Sequence, residues 1–290
     1  MGKAQNPTHP TSVPRLFDAD LLALRQRRAL RRRDRRGESF LMKRMVDDLA
    51  ERLEDVNRRF ASLLLIAPEG ADRLLRERLP AHALPHAITL ATPGAHTRLP
   101  HAPASFESCA ALVGPGQVDD LPGALIEMRR LLRPDGLLLA AWFGGQTLAE
   151  LRGALYALDE ARLGGATPRV HPGVDHVQAA QLLARAGLAL PVVDRDRFTV
   201  RYRSLRTLVE DLRDLGLGNA LAARARGFLG RDAYARLQSH MSVEAGRYPV
   251  TFDIVWITGW APHESQPKPL APGSARMRLA EALGTTERKL

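Results

Sequence analysis

Apolar positions recur along this chain in two rhythms, and their order predicts helices alternating with short strands. Leu41, Met45, Leu49, Leu53 and Val56 return at helical spacing with Asp47, Asp48, Glu51 and Arg52 on the other side, which predicts an amphipathic helix. Ser62 to Ile66 is a short apolar run bounded by Arg59 and Pro68, too short for a helix and suited to a buried parallel strand. A helix carrying Leu74, Leu75 and Leu79 follows and stops at Pro80; Ala87 to Ala91 and Cys109 to Val113 read as two more strands. Leu121 to Leu132 is helical in period, and Arg133-Pro-Asp-Gly136 turns the chain into the apolar strand Leu137 to Phe143. Helices are predicted at Leu148 to Leu163 and Gln178 to Ala186, then strands at Leu188 to Val193 and Phe198 to Tyr202. Helices between Leu205 and Gln238 precede a last alternating strand, Val250 to Trp260. This order predicts an α/β fold, a mainly parallel sheet closed by an antiparallel hairpin with a helical insertion.

Composition narrows the setting. At 290 residues and 45% hydrophobic, the chain is long enough for one full core. The single cysteine, Cys109, excludes an intramolecular disulfide and a cysteine-based zinc site and suits a reducing compartment. No apolar run has the length of a membrane span and the start lacks a secretory core, so the expectation is a soluble protein without a transmembrane segment. The net charge of +10 is unevenly placed: Arg15 to Arg36 holds nine arginines against three aspartates. Three readings of that stretch stand side by side: a solvated helix face capped by Asp18 or Asp20, a phosphate-binding patch, and a contact for an acidic protein or a membrane surface. Nucleic acid is disfavoured because no aromatic side chains interleave to stack on bases.

Three segments carry a family resemblance: Trp256-Ile-Thr-Gly-Trp-Ala-Pro-His-Glu-Ser-Gln266, Phe143-Gly-Gly-Gln-Thr-Leu-Ala-Glu-Leu-Arg152 and Leu132-Arg-Pro-Asp-Gly-Leu-Leu-Leu139. Together with Phe17-Asp18-Ala19-Asp20-Leu21 ahead of the basic stretch, they make the chain resemble the methyltransferase-like assembly factors of respiratory complex I, in the class I S-adenosylmethionine-dependent methyltransferase superfamily. Members of that family are linked to hydroxylation of an arginine in an iron–sulfur subunit. The resemblance implies a Rossmann-like fold, S-adenosylmethionine as cofactor, and an acidic partner such as a complex I subunit for Arg31, Arg32 and Arg33. It implies a bacterial cytoplasm or, for an organellar protein, a mitochondrial matrix. The expected organisation is a basic N-terminal arm or helix (1–36), a methyltransferase-like domain (37–262) and a loosely held tail (263–290).

The cofactor loop departs from the family pattern. Such a fold holds its ligand at the first strand-to-helix turn, where glycines admit the close approach of backbone. Here the stretch is Leu63-Leu-Leu-Ile-Ala-Pro-Glu-Gly70: Leu64 takes the place of the acid, Ile66 and Pro68 replace two glycines, and Gly70 survives. Ala91 stands where the ribose carboxylate is expected, and Ala95-His-Thr-Arg98 offers no acid for adenine. The interval from Gly70 to Leu99 is too short for the usual elements, so a strand and its helix are expected to be shortened or lost. Cofactor binding is therefore expected to be weak or lost, with Gly70, Gly114, Gly116 and Gln117 as the residues of any rebuilt pocket.

Other candidates are thin. In Phe143 to Arg152, Thr147 with Glu150 suits a helix capping box, Arg152 is free to reach an acidic group above the pocket, and Gln146 replaces the family's acid. His263 and Glu264 suit either anchoring of the tail or substrate contact. His171 and His176, near Asp175, read as surface histidines, since no third metal ligand is evident. No catalytic residue is assigned. Three functions follow: a methyltransferase-like assembly factor with a degenerate cofactor site, an active methyltransferase on a small acid or carrier-bound acyl group, and a non-catalytic protein-binding module.

Overall fold

The computed structural model describes residues 15–92, 98–227 and 229–267. The sheet has six strands: β1 (Ser62–Ile66), β2 (Ala87–Ala91), β3 (Phe106–Leu112), β4 (Leu132–Phe143), β5 (Ala189–Tyr202) and β6 (Tyr248–Trp260). Their spatial order is β2-β1-β3-β4-β6-β5. The first four are parallel, while β6 runs antiparallel to both β4 and β5. This is the class I methyltransferase arrangement with β2 as the edge on the cofactor side, where the described residues place no further strand. The shortened half-sheet expected from the Gly70 to Leu99 interval is thus present.

Side-chain alternation builds two cores on one sheet. Leu63, Leu65, Leu137, Leu139 and Ala141 enter the core covered by α2 (Phe40–Asp55), α3 (Ala71–Arg78), α5 (Ala149–Leu163), α7 (Leu205–Asp214) and α8 (Arg231–Ser239). Leu64, Ile66, Leu138, Ala140 and Trp142 enter the other, beneath α4 (Leu121–Leu131) and α6 (His176–Arg185). Cys109 lies in the second core, its thiol pushed up to about 12 by burial, and is therefore inert.

Two boundaries differ from expectation for identifiable reasons. The stretches 189–193 and 198–202 belong to one edge strand, because the charged residues between them are paired: Asp194 with Arg52 and Asp196 with Arg44, each at 2.6 Å. Strand β4 begins at Leu132, before the Arg-Pro-Asp-Gly turn, which stays within the strand with Asp135 at φ 59°. There the family motifs meet. Ala261 donates its amide to the Gly136 carbonyl (2.8 Å), and the Gln266 side chain bridges the Asp135 carboxylate and the Ala261 carbonyl at 2.9 Å each. The motif at 256–266 and the one at 132–139 are therefore a buttress at the amino edge of the sheet.

Helix α1 (Ala19–Arg36) is capped by Asp18, whose carboxylate accepts from the Leu21 amide, and it packs against α7. None of the described helices is long and apolar enough to cross a membrane.

Candidate functional site

The chain reverses direction across the sheet between β1 and β3, and the carboxyl end of that gap is where sheets of this kind receive ligands. The first turn there, Ala67 to Gly70, is closed from above. Arg33, buried at 4% exposure, donates from Nη2 to the Glu69 carbonyl (2.8 Å) and sets its Nε 3.2 Å from Glu38 Oε2. Glu38 also holds Arg73 at 2.6 Å and lies against Gly70, where a β-carbon would stand 3.2 Å from its Oε1. Burial lowers the Arg33 pKa from its ordinary value, while the charges of Glu38, Asp34 and Asp214 act to raise it. Gly70 itself has φ 91° and opens α3, the left-handed role that glycine fills without strain.

This turn offers few free groups to a nucleoside. Pro68 has no amide to donate, the Glu69 carbonyl already takes a guanidinium, Leu64 is wholly buried within β1, and β2 ends at Ala91 with no acid. Residues 93–97, which hold most of the stretch expected to face adenine, lie outside the described residues.

One strand further on the structure opens. A cavity of about 830 Å³ lies above the exits of β3 and β4, between α1, α5 and α7. Its lower wall is apolar: Leu22, Val113, Phe143, Leu148, Leu151, Leu155, Leu212 and Leu217. Its rim is basic. Arg25, Arg28, Arg31, Arg32, Arg35, Arg169 and Arg213 line it, with no aspartate or glutamate among the lining residues. Arg32 pairs with Asp214 at 2.5 Å and Arg169 with Asp159 at 2.6 Å, both carboxylates lying outside the lining. The pKa of Arg25 is lowered by burial first, then by the charges of Arg224, Arg213 and Arg28.

The walls are held by backbone contacts. A β-carbon on Gly173 would strike the Gly144 carbonyl, so the loop before α6 lies directly on Gly144 and Gly145. Trp142 pins that loop by donating to the Val174 carbonyl at 3.0 Å. Phe17 closes the far side: its amide and that of Leu16 donate to Asp119 at 2.8 Å, it bridges to Leu221, and its ring stacks on His171 at 4.8 Å.

The expected site residues are divided by this geometry. Gly116 and Gln117 line the cavity, whereas Gly114 and Gly70 are turn residues outside its lining. Arg31 and Arg32 stand on the rim; Arg33, expected on the surface, is turned inward to the β1 turn. Arg152 is not free to meet a ligand acid, because it donates to the Gly145 carbonyl (2.8 Å) and the Thr147 carbonyl (3.1 Å). Thr147 and Glu150 form no capping box; they grip β6 through Asp253 and Thr251, and Leu148 occupies the cap position. His263 and Glu264 follow the carboxyl end of antiparallel β6, at the opposite edge from the cavity, where His263 Nδ1 meets the Ser265 hydroxyl at 2.8 Å. This excludes substrate contact in the cavity for that pair.

His171 is not a surface histidine. It lines the cavity with Nε2 buried and unpartnered, and burial followed by the Arg152 charge pushes its pKa down to about 4. His176 is exposed at the start of α6, which Asp175 caps with Gln178. No group of metal-binding residues occurs among the described residues. Sequence reasoning placed Arg25 and Arg28 only in a partner-binding basic stretch and missed Arg213 and His171 as cavity residues. The spacing of Arg25, Arg28, Arg32 and Arg35 does place them along one helix face, whereas Arg213 and His171 join them through tertiary packing alone.

No protein-family model matches the chain. The mouse protein arginine-hydroxylase NDUFAF5, mitochondrial, is 30% identical over 298 residues, covering 95% of this chain and 87% of that protein. The chain belongs to the NDUFAF5 arginine-hydroxylase family. A malonyl-[acyl-carrier protein] O-methyltransferase of Laribacter hongkongensis is 38% identical over 140 residues, 48% of this chain and 45% of that protein, so this likeness spans less than half of either. Among solved structures, YcgJ of Bacillus subtilis is 11% identical with a TM-score of 0.44, covering 77% of this chain and 98% of that one, a likeness too low to inform the site. In this NDUFAF5 relative the cavity and its arginines lie one strand over from the β1 turn and take in Gly116 and Gln117, two of the four residues expected of a rebuilt cofactor pocket.

Proposed function

We propose that this NDUFAF5 relative serves the assembly of respiratory complex I as a client-binding protein with a degenerate cofactor site, holding S-adenosylmethionine weakly or not at all. The observation that carries this reading is the closed β1 turn, where Arg33 donates to the Glu69 carbonyl and forms an ion pair with Glu38. A ribose and an adenine left without partners lose about 1 to 3 kcal/mol per polar group, roughly tenfold to a hundredfold in affinity each. The client surface is acidic and meets the exposed face of α1 at Arg27, Arg31 and Arg35. The mitochondrial address of the mouse relative supports a matrix location if this chain is organellar, and a bacterial cytoplasm otherwise.

Calorimetry of the full chain with S-adenosylmethionine and S-adenosylhomocysteine tests the cofactor half. The reading expects no saturable heat in the micromolar range, and a submicromolar dissociation constant overturns it. Charge reversal by Arg27→Glu with Arg31→Glu tests the client half. Capture of complex I subunits should fall in a salt-sensitive way with the melting temperature unchanged, and unchanged capture contradicts it.

The second reading, an active methyltransferase on a carrier-bound acyl group, draws support from the partial likeness to the Laribacter enzyme. It requires cofactor affinity, so the same calorimetry separates the two.

A further inference from the structure

The basic rim and the apolar floor of the cavity belong to different chemistries, and only one class of ligand answers both. Among the described residues, Arg25, Arg28, Arg35 and Arg213 have no carboxylate within ion-pair distance. Arg25 Nη1 and Arg32 Nη2 are buried without any hydrogen-bond partner, and so is His171 Nε2 across the cavity. Gly218 admits the close approach of the Arg25 guanidinium, since a β-carbon there would strike its Nη1. Unpartnered buried donors with like charges beside them favour an anionic acceptor, and a carboxylate or phosphate takes guanidinium bonds in pairs.

The floor makes the opposite demand. Phe143, Leu148, Leu151, Leu212 and Leu217 form an apolar wall that a small inorganic anion would leave in contact with water. The volume of about 830 Å³ falls in the range of small-molecule pockets. Cations fit poorly. An arginine side chain, or the positively charged sulfonium of S-adenosylmethionine, would face the guanidinium groups of Arg25, Arg28, Arg31, Arg35 and Arg213, which have no ion-paired carboxylate among the described residues.

We propose that the cavity binds an amphipathic anion, a hydrocarbon body bearing a carboxylate or phosphate head, with the head on Arg25, Arg28 and Arg213 and the body along Phe143 and Leu151. This site is independent of the β1 turn and stands whether or not S-adenosylmethionine binds there.

Calorimetry of the full chain with dodecanoate and with dodecyl phosphate is the test. Dodecyltrimethylammonium serves as the cationic control, and acetate and inorganic phosphate as heads without a body. The expected result is saturable binding of one equivalent of at least one dodecyl anion and none of the three controls; the tighter of the two anions identifies the head. Arg28→Ala with Arg213→Ala should weaken that binding at least tenfold. Because Arg28 is exposed, Arg28→Ala alone keeps the fold and should still weaken binding measurably. Equal binding of the cationic control, binding unchanged in the arginine variants, or no binding of either anion overturns the proposal.

Discussion

Two turns at the same edge of one sheet have opposite fates. After β1, the chain closes on itself: Arg33 reaches the Glu69 carbonyl and Glu38, and Glu38 in turn holds Arg73. After β3 and β4, it stays open, with seven arginines over an apolar floor and no acid among the lining residues. Helix α1 makes both outcomes. Arg33 leaves its buried face toward the first turn, while Arg25, Arg28 and Arg32 leave the adjacent face toward the cavity. A basic helix can therefore cover one turn and charge its neighbour with residues a single step apart.

The largest effect is expected at Trp142, buried between α6 and the sheet and bonded to the Val174 carbonyl. Trp142→Ala should cost about 3 to 5 kcal/mol in chemical denaturation and release the loop that forms one cavity wall. Retention of wild-type stability would mean that the wall is not fixed from the core. Next comes the contrast between neighbouring arginines. Arg33→Ala leaves Glu38 and the Glu69 carbonyl without their buried partner and should cost about 3 kcal/mol, whereas exposed Arg31→Ala should change stability by less than about 0.5 kcal/mol. Equal costs would dissolve the distinction between the two faces of α1.

A smaller effect concerns His171. Its folded pKa, near 4, lies below the ordinary 6.5, so the unfolded chain binds the extra proton first. Stability contributed by the neutral ring is present above about 6.5 and is lost as pH falls toward 4. Denaturation midpoints of His171→Gln, compared with wild type at pH 7 and pH 5, should show a smaller drop in the variant. The ring stacks on Phe17 and faces the Arg152 charge, so both remain to be matched in that comparison. An identical drop would show that His171 is already solvated.

The sequence was most legible where local pattern and burial agree. Ser62–Ile66 and Ala87–Ala91 form the strands their apolar runs predict, the antiparallel closing pair follows from periodicity, and the short interval after Gly70 agrees with β2 being the edge strand among the described residues. The family motifs were legible as motifs, but their physical work was not. Gln266 and Asp135 meet across more than a hundred residues to fasten the amino edge, and Thr147 and Glu150 fasten β6 at the other edge. None of those partners is near in sequence. The same holds for the cavity: Arg25 and Arg28 share a helix face that spacing reveals, while only the packing of α1 on α7 brings Arg213 beside them. The turn glycines Gly144, Gly145 and Gly173 read singly as flexible positions, yet two of them make one backbone contact that no single-segment pattern encodes.

The most direct test of the contrast between the closed and the open turn is a crystal structure grown with S-adenosylhomocysteine and dodecanoate together. The expected result is dodecanoate between α1 and the β4 exit, its carboxylate on Arg25, Arg28 or Arg213, with Arg33 still bonded to Glu69 and no nucleoside at residues 67–70. A nucleoside seated on Gly70 with Arg33 displaced, and the arginine cavity left without the anion, would contradict it.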